Sequence, residues 1–274
     1  MKRRFFSSSV AAVTAVAALL LIPISSAAAQ GIGIPRTADG KPDLSGFWAA
    51  GGGLLTSQVD AGGNVTITLG ARDASPVNFE RDSGLRQRAD SNRPIYKPEF
   101  WDKVQHLDEN GNVEDPTFGC MPAGVPRIGP PDKILQTPTE IVFLYQSRNT
   151  FRLIPIDGRP HHPEKSLDQT WMGDSVGRWE AGTLVIDTIG FNDVSWLDWP
   201  GYFHSEQMRV TERLYREGNT LHYQATVEDP VVLMKPWIRN SVIRTINTDP
   251  NAALIEDPPC DERDLEHLVT KERG

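Results

Sequence analysis

The stretch QMRVTERLYREGNTLHYQATVE, residues 207–228, decides the fold class, because most of its apolar residues fall at alternate positions on both sides of a glycine. In the first run, Val210 and Leu214 fall on one face of an extended chain. A period of two is typical of a half-buried β-strand. Between the runs, Gly218-Asn219 accepts the positive φ angles of a tight hairpin turn. The stretch therefore predicts two antiparallel strands, 207–216 and 220–228.

Further runs of the same kind occur along the chain, separated by glycine, asparagine and proline. The 274 residues include 23 Gly and 21 Pro, a composition that favours strands and loops over long helices. Short links between consecutive strands favour an antiparallel meander, closed as a barrel or folded as a sandwich. Further strands are predicted at 64–69, 140–146, 150–156, 183–188 and 241–247.

One segment has a helical period instead. Phe100, Val104 and Leu107 follow the i, i+4, i+7 spacing, so a short helix is predicted at 99–107. The region around 49–63 is rich in glycine and is expected to be mostly loop. The predicted fold class is mainly β: an antiparallel, barrel-like (calycin-like) core or a sandwich, with a long irregular N-terminal segment and one or two short helices.

The first residues have the parts of a secretory signal peptide: the basic start Lys2-Arg3-Arg4, an apolar run at 10–22 and small residues at 27–29. The mature protein is therefore expected in the periplasm or outside the cell. The chain is predicted to consist of a signal peptide at 1–29, an irregular N-terminal wrap with a short helix at 30–132, an antiparallel β core at 133–250, and a C-terminal tail at 251–274.

The two cysteines, Cys120 and Cys260, are predicted to form a disulfide that ties the tail to the middle of the chain, because an exported protein folds in an oxidising compartment. The net charge of -8 disfavours nucleic acid and anionic membrane surfaces as partners. The expected partner is a small molecule, and the oligomeric state is left open. After signal cleavage no membrane association is expected.

Residues 173–177, Gly-Asp-Ser-Val-Gly, match the G-x-S-x-G pattern of serine hydrolases. A nucleophile elbow needs a strand before the serine and a helix directly after it. Here the preceding residues are polar, and the following ones run into the strand at 183–188. We therefore expect a glycine-punctuated turn at 173–177 and no serine hydrolase, with Trp179 packed into the core.

Polar residues on predicted inward faces are the candidates for chemistry. If the face of Val210 and Leu214 is inward, Glu212 is an inward carboxylate, with His204 and Glu206 further along the same face. The face of Phe151, Leu153 and Pro155 ends at Asp157, close to His161. A histidine and a buried carboxylate are suited to proton transfer, so the predicted catalytic set is His204, Glu206, Glu212, Asp157 and His161.

A structural role for Glu212 is the alternative, since inward carboxylates often pair with arginine. Arg152, Arg159, Arg178 and Arg213 are available for such a pair.

Zinc and iron accept imidazole and carboxylate ligands, which the chain offers at His161, His162, His204 and Glu206. Adjacent histidines on an extended chain point to opposite sides, and the spacing matches no metal motif. No cofactor and no metal site are therefore predicted, and a divalent metal is kept as an alternative.

Aromatic residues cluster around residues 191–204. The apolar loop from Trp196 is expected to form a lid or pocket wall over an apolar ligand. Arg93 and Lys235 are two cations that could bind an acidic group there. The predicted substrate-binding residues are Asp174, Arg178, Trp196, Trp199 and Tyr202.

Two resemblances follow from motifs. Residues 36–48, RTADGKPDLSGFW, together with 173–188, GDSVGRWEAGTLVIDT, resemble a widespread group of uncharacterised exported bacterial proteins, which supplies no function. Gly46-Phe47-Trp48 is also similar to the Gly-x-Trp entry of lipocalin-like barrels, and that similarity implies a cup for small apolar ligands.

The leading functional hypothesis is an exported enzyme, a lyase, isomerase or hydrolase, that uses His and carboxylate acid–base chemistry on a small, partly apolar substrate. The alternative is a non-catalytic periplasmic binding protein for a small hydrophobic ligand.

Overall fold

The computed structural model describes residues 34–50, 54–59, 65–70, 92–164, 167–257 and 260. The predicted signal peptide and the tail beyond Cys260 lie outside these residues. The strands are β1 Gly46–Ala50, β2 Leu54–Val59, β3 Val65–Gly70, β4 Lys133–Gln136, β5 Glu140–Leu144, β6 Phe151–Pro155, β7 Asp174–Glu180, β8 Thr183–Ile189, β9 Trp196–Asp198, β10 Tyr202–Phe203, β11 Arg209–Glu217, β12 Thr220–Glu228, β13 Trp237–Ile238 and β14 Val242–Asn247. The helices are α1 Trp101–Glu109 and α2 Gly111–Glu114, with short 3-10 turns at Pro98–Phe100 and Ser147–Asn149.

Nine strands form one antiparallel sheet in the order β6-β5-β4-β1-β14-β12-β11-β8-β7, and β13 pairs with β12 at the side. The sheet curls into a nearly closed barrel, so its end strands β6 and β7 face each other. Isoleucine side chains in and just after β6 pack against the backbone of Gly177 in β7. A Cβ on Gly177 would come within 2.9 Å of Ile156 and 3.1 Å of Ile154. Glycine at 177 therefore allows the barrel to close.

Every second residue along the strands points into the barrel, and these side chains fill it. In β11 the buried positions include Val210 and Leu214, and in β12 they include Leu221 and Tyr223. Each fully buried apolar side chain of this size contributes about 1.5–3 kcal/mol. At one end, Trp48 donates its indole N–H to the carbonyl of Leu44 at 2.8 Å and lies under the guanidinium of Arg216.

Most predicted elements are confirmed. The strands that begin near residues 64, 140, 150, 183, 207, 220 and 241 are present as β3, β5, β6, β8, β11, β12 and β14, with ends that differ by a few residues. The β11–β12 hairpin turns at Gly218, whose φ is 57°. The predicted helix is α1, shifted by two residues, and it buries Leu107. The mainly β, barrel-like fold is thereby established.

The turn predicted at 173–177 is wrong, because Asp174 and Ser175 begin strand β7. The hairpin turn lies instead at Ala181-Gly182, where φ is 47° and 88°. Glu180 and Thr183 pair directly across it. The polar, glycine-containing strand has the composition of a turn, and this misled the prediction.

The predicted inward face of the strand at 150–156 is also wrong. Phe151 and Leu153 are 61% and 53% exposed, whereas Arg152 and Ile154 are buried. The reason is that Arg152 finds a buried acidic partner inside the barrel, so the charged residue points inward and its apolar neighbours point outward. Asp157 therefore does not continue an inward face.

Part of the segment expected to be loop forms strands. β1 lies in the centre of the main sheet, between β14 and β4, and β2 pairs with β3 as a separate hairpin. The loop predicted from Trp196 is instead the β9–β10 hairpin, which buries Trp196 and Leu197 in the core.

The predicted disulfide between Cys120 and Cys260 is confirmed. Asp257 of the same tail accepts hydrogen bonds from the backbone N–H of Arg148 at 2.7 Å and from the side chain of Asn149 at 3.3 Å. The tail is thus attached at two points. Within the described residues, no helix is both long and apolar enough to cross a membrane.

Candidate functional site

A surface cleft of about 710 Å³ opens between four segments of the chain. Its walls are the extended segment 92–96, helix α1, the β9–β10 hairpin and the segment 235–238. Small-molecule sites commonly enclose about 300–1,000 Å³. The cleft therefore has the size of a site for a ligand of modest mass.

Hydrogen bonds hold the cleft walls in place. The indole N–H of Trp101 donates to the carbonyl of Tyr96 at 3.1 Å, and that of Trp237 donates to the carbonyl of Asn92 at 3.2 Å. The hydroxyl of Tyr96 donates to the carbonyl of Phe203 at 2.6 Å. Because both indole N–H groups are used by the protein, these two tryptophans offer the cleft aromatic carbon rather than a polar group.

Three exposed apolar side chains line this cleft: Ile95, Trp101 and Ile238. Trp101 is 60% exposed and Ile238 is 53% exposed, although each is large and apolar. Arg93 and Lys235 line the same cleft, together with Asp108. Exposed apolar surface with a few charged groups at its edge is typical of a binding site.

Tyr202, one of the predicted substrate-binding residues, also lines the cleft. Burial raises the pKa of its hydroxyl, hydrogen bonding and charge from Arg93 lower it, and the carboxylate of Asp108 raises it, with a net upward shift. The phenol therefore keeps its proton at neutral pH and remains a hydrogen-bond donor.

The barrel interior holds a polar network around Glu212, which is 0% exposed. Arg152 donates to both of its oxygens, at 3.0 and 2.6 Å, and Tyr223 donates to it at 2.9 Å. Arg152 also donates to Ser175 at 2.9 Å and to Thr188 at 3.2 Å. Every member is buried. The network connects β6, β7, β8, β11 and β12 inside the barrel.

Glu212 and Ser175 consequently have structural partners. Burial disfavours the charged guanidinium, but the adjacent carboxylate outweighs this cost and the pKa of Arg152 is raised. The guanidinium of Arg152 therefore stays charged beside Glu212. Ser175 lies beside Arg152 and Thr188, and its hydroxyl contacts no histidine within the described chain. A nucleophilic serine needs an adjacent base, and this environment supplies none.

His161 lies between two carboxylates on the outside of the barrel. Its Nδ1 is 3.0 Å from Asp174 and its Nε2 is 2.9 Å from Asp187. Arg209 donates two further hydrogen bonds to Asp187, at 2.6 and 2.7 Å. Burial raises the pKa of Asp187, but hydrogen bonds from Arg209 and His161 outweigh it, and the net shift is downward. This cluster attaches the loop before β7 to the barrel wall.

His204 is buried, at 2% exposed. Its Nδ1 is 3.0 Å from the carbonyl of Ser205, so Nδ1 carries the proton and donates, and Nε2 accepts from the hydroxyl of Ser195 at 2.8 Å. Burial lowers the pKa of His204, and this favours the neutral ring. Ser195 is as buried as its partner, so the pair lies away from solvent.

No family model matches the chain. No curated protein and no solved structure is detectably similar to it either. The geometry of the chain itself is therefore the basis of the function proposed below.

The predicted catalytic residues do not meet in one place. Glu206 is exposed in the turn before β11, so it does not continue the inward face of Glu212. Asp157 pairs with Arg159, and hydrogen bonds from that arginine lower its pKa to about 2. Of the predicted set, only His161 bonds to another predicted site residue, Asp174.

The remaining predicted ligand contacts are also dispersed. Arg178 is exposed and pairs with Glu180 on the outer barrel wall. Trp196 is buried in the core, and Trp199 packs edge-on against Phe118 with ring centroids 6.0 Å apart. Only Tyr202 lines the cleft.

The metal alternative depends on how the donor side chains are arranged. Among the described residues, no three His, Cys, Asp or Glu side chains are arranged to hold an ion. Both ring nitrogens of His161 bond carboxylates, and both of His204 bond serine residues. These contacts differ from those expected of metal ligands.

Several residues of these sites were not predicted. Asp187 is a charged residue inside the apolar strand TLVIDT, a signal that could have identified a paired carboxylate. Ser195 has no signal of its own. Trp101 and Trp237 lie 136 residues apart by their numbers, and their shared cleft follows only from the folded chain.

Proposed function

We propose that this protein binds a small, partly apolar molecule in the cleft between α1, the β9–β10 hairpin and residues 92–96 and 235–238. The observation that carries the proposal is a cleft of ligand size lined by the exposed apolar side chains of Ile95, Trp101 and Ile238. Large exposed apolar groups are costly in water unless a ligand or partner covers them.

Binding has better support than catalysis. An acid–base enzyme needs a proton-transfer group at the ligand, whereas His204 is buried with Ser195, and Glu212 is held by Arg152 inside the barrel. The enzyme hypothesis stays a prediction. Its strongest support is the contact of His161 with the carboxylates of Asp174 and Asp187, because general acid–base catalysis uses groups of these types.

The export of this protein is part of the proposal. The Cys120–Cys260 disulfide supports a location in the periplasm or outside the cell, because such bonds persist in oxidising compartments. The basic and apolar start of the chain supports the same location.

Fluorescence of the neutral dye phenylnaphthylamine tests the binding site. We expect saturable binding by the wild-type protein and a loss of about ten-fold in affinity for Trp101→Ala, since one stacked aromatic contact contributes about 0.5–1.5 kcal/mol beyond its buried area. The matched control is Leu153→Ala, a similarly exposed apolar residue on the barrel wall. Equal effects of the two substitutions, or no saturable binding, would refute the cleft as the site.

The enzyme hypothesis has a separate test. Once a natural ligand is known, incubation with wild-type protein followed by mass spectrometry of the ligand would show any turnover. His161→Asn should abolish that turnover and leave binding intact if His161 transfers the proton.

A further inference from the structure

We infer, on the basis of the binding function proposed above, that the ligand of the cleft is a small aromatic anion, with a carboxylate or sulfonate held by Arg93 and Lys235. Both cations line the cleft, one on the segment 92–96 and the other on the segment 235–238. Since these segments form two of its walls, an anionic group inside the cleft can be approached by both charges.

The charge of the cleft is opposite to that of the protein. The chain has a net charge of -8, yet the charged residues lining the cleft are two cations and one carboxylate, Asp108. The positive excess at the cleft therefore differs in sign from the charge expected from the average composition of the chain. It raises the local concentration of anions relative to the rest of the surface.

The donors at the cleft suit an oxyanion. Arg93 has five N–H groups in a planar fork, and it forms a hydrogen bond with Tyr202 in the cleft. Lys235 adds an ammonium group. Tyr202 adds a hydroxyl that stays protonated at neutral pH. Three different donors at one cleft can satisfy the several lone pairs of a carboxylate or sulfonate.

The aromatic part of the ligand is inferred from Trp101, which is 60% exposed at the cleft, whereas Trp237 is largely buried. The indole N–H of Trp101 is bonded to the carbonyl of Tyr96, so its ring has only apolar surface left for a ligand. Flat rings make extensive contact with such surfaces at small entropic cost. An aliphatic anion would use the donors and leave this aromatic surface exposed.

Two dyes with the same ring system separate the anion from the apolar contact. Anilinonaphthalene sulfonate carries a sulfonate that the neutral phenylnaphthylamine lacks. We expect the sulfonate dye to bind more tightly, and Arg93→Gln and Lys235→Gln each to weaken it about ten-fold, because charge-assisted hydrogen bonds are lost. Affinity for the neutral dye should be unchanged in both variants, and added salt should weaken only the anionic dye.

The control is Arg213→Gln, which removes an exposed positive charge on the outer barrel wall, where Arg213 pairs with Glu180. It should leave both dye affinities unchanged. If both dyes bind equally and Arg93→Gln has no effect, the anion inference is overturned while the binding function stands. If Trp101→Ala does not affect either dye, the binding function itself fails.

Discussion

Arg152 and Glu212, which lie on strands from opposite parts of the sheet order, meet inside the barrel through hydrogen bonds of 3.0 and 2.6 Å. Arg152 belongs to β6, at one end of the sheet, and Glu212 belongs to β11, close to the other end. Since β6 and β7 form no strand ladder, this ion pair is one of the bonds that hold the barrel closed. The contribution of this ion pair to the free energy of unfolding depends on the burial of both side chains.

Removing one partner of this pair should be strongly destabilising. Glu212→Gln leaves the buried guanidinium of Arg152 without a full countercharge, and breaking a buried pair in this way costs about 3–5 kcal/mol. Urea unfolding followed by circular dichroism measures the loss. The exposed pair of Glu180 with Arg178 gives the control, because Glu180→Gln should cost less than about 1 kcal/mol.

A double variant tests whether burial of the unpaired charge causes the loss. Arg152→Met with Glu212→Leu removes both charges and should recover most of the stability, because apolar residues can replace a buried ion pair at little cost. A double variant as unstable as Glu212→Gln would show that the pair contributes by geometry that apolar side chains cannot replace.

The stability of the protein should fall as the pH drops below about 6.5, in part through His204. Burial lowers the pKa of this ring in the folded state, so the unfolded state binds more protons in this range. Stability therefore rises with pH, and the contribution of His204 is present above the unfolded pKa and lost as the pH falls towards the folded value.

His204→Gln removes the titrating ring and keeps an acceptor for the hydroxyl of Ser195. We expect a smaller difference in unfolding free energy between pH of about 7 and pH of about 5 than in the wild-type protein. An identical pH dependence in His204→Gln and wild type would mean that the buried ring does not contribute.

The C-terminal attachment gives a third prediction. Removing the disulfide with Cys120→Ser and Cys260→Ser should lower the free energy of unfolding by about 2–5 kcal/mol, since the bond joins residues separated by 140 positions. Thermal unfolding of this variant should match that of the reduced wild-type protein. If reductant destabilises the double serine variant as well, the effect of the reductant has another cause.

Alternation identified the strands where one face is apolar, as at Val210 and Leu214. It failed where a charged residue is buried. Arg152 of β6 points inward because it pairs with Glu212 inside the barrel, and local hydrophobicity alone does not predict that pair. β7 was missed because Gly173 and Gly177 have the composition of a turn, whereas Gly177 serves close packing against β6.

The candidate site was only partly accessible from the sequence. Arg93, Lys235 and Tyr202 could be named as ligand contacts, but nothing local shows that the three share one cleft. Their meeting depends on hydrogen bonds between distant segments, such as that from Trp237 to Asn92. Side-chain chemistry could be predicted, and the long-range packing that makes a cleft could not.

Gly201 sets the distance between the β9–β10 hairpin and α1, and its replacement should alter the cleft. Its φ is 71°, and a Cβ there would lie 2.6 Å from the Cβ of Leu107 and 2.8 Å from the backbone nitrogen of Asp108. Gly201→Ala must therefore move the hairpin away from the helix. We expect a lower melting temperature and weaker phenylnaphthylamine binding, because Pro200 and Tyr202 line the cleft on either side.

Gly218 provides the matched control for this substitution. Its φ is 57°, but a Cβ there would have no neighbour within 4 Å, so Gly218→Ala carries only the backbone cost of about 1–2 kcal/mol. Gly201→Ala adds the cost of overpacking, roughly 1–3 kcal/mol. Dye affinity should fall in Gly201→Ala alone. Equal loss of stability and unchanged dye affinity in both variants would show that the contact between hairpin and helix does not shape the cleft.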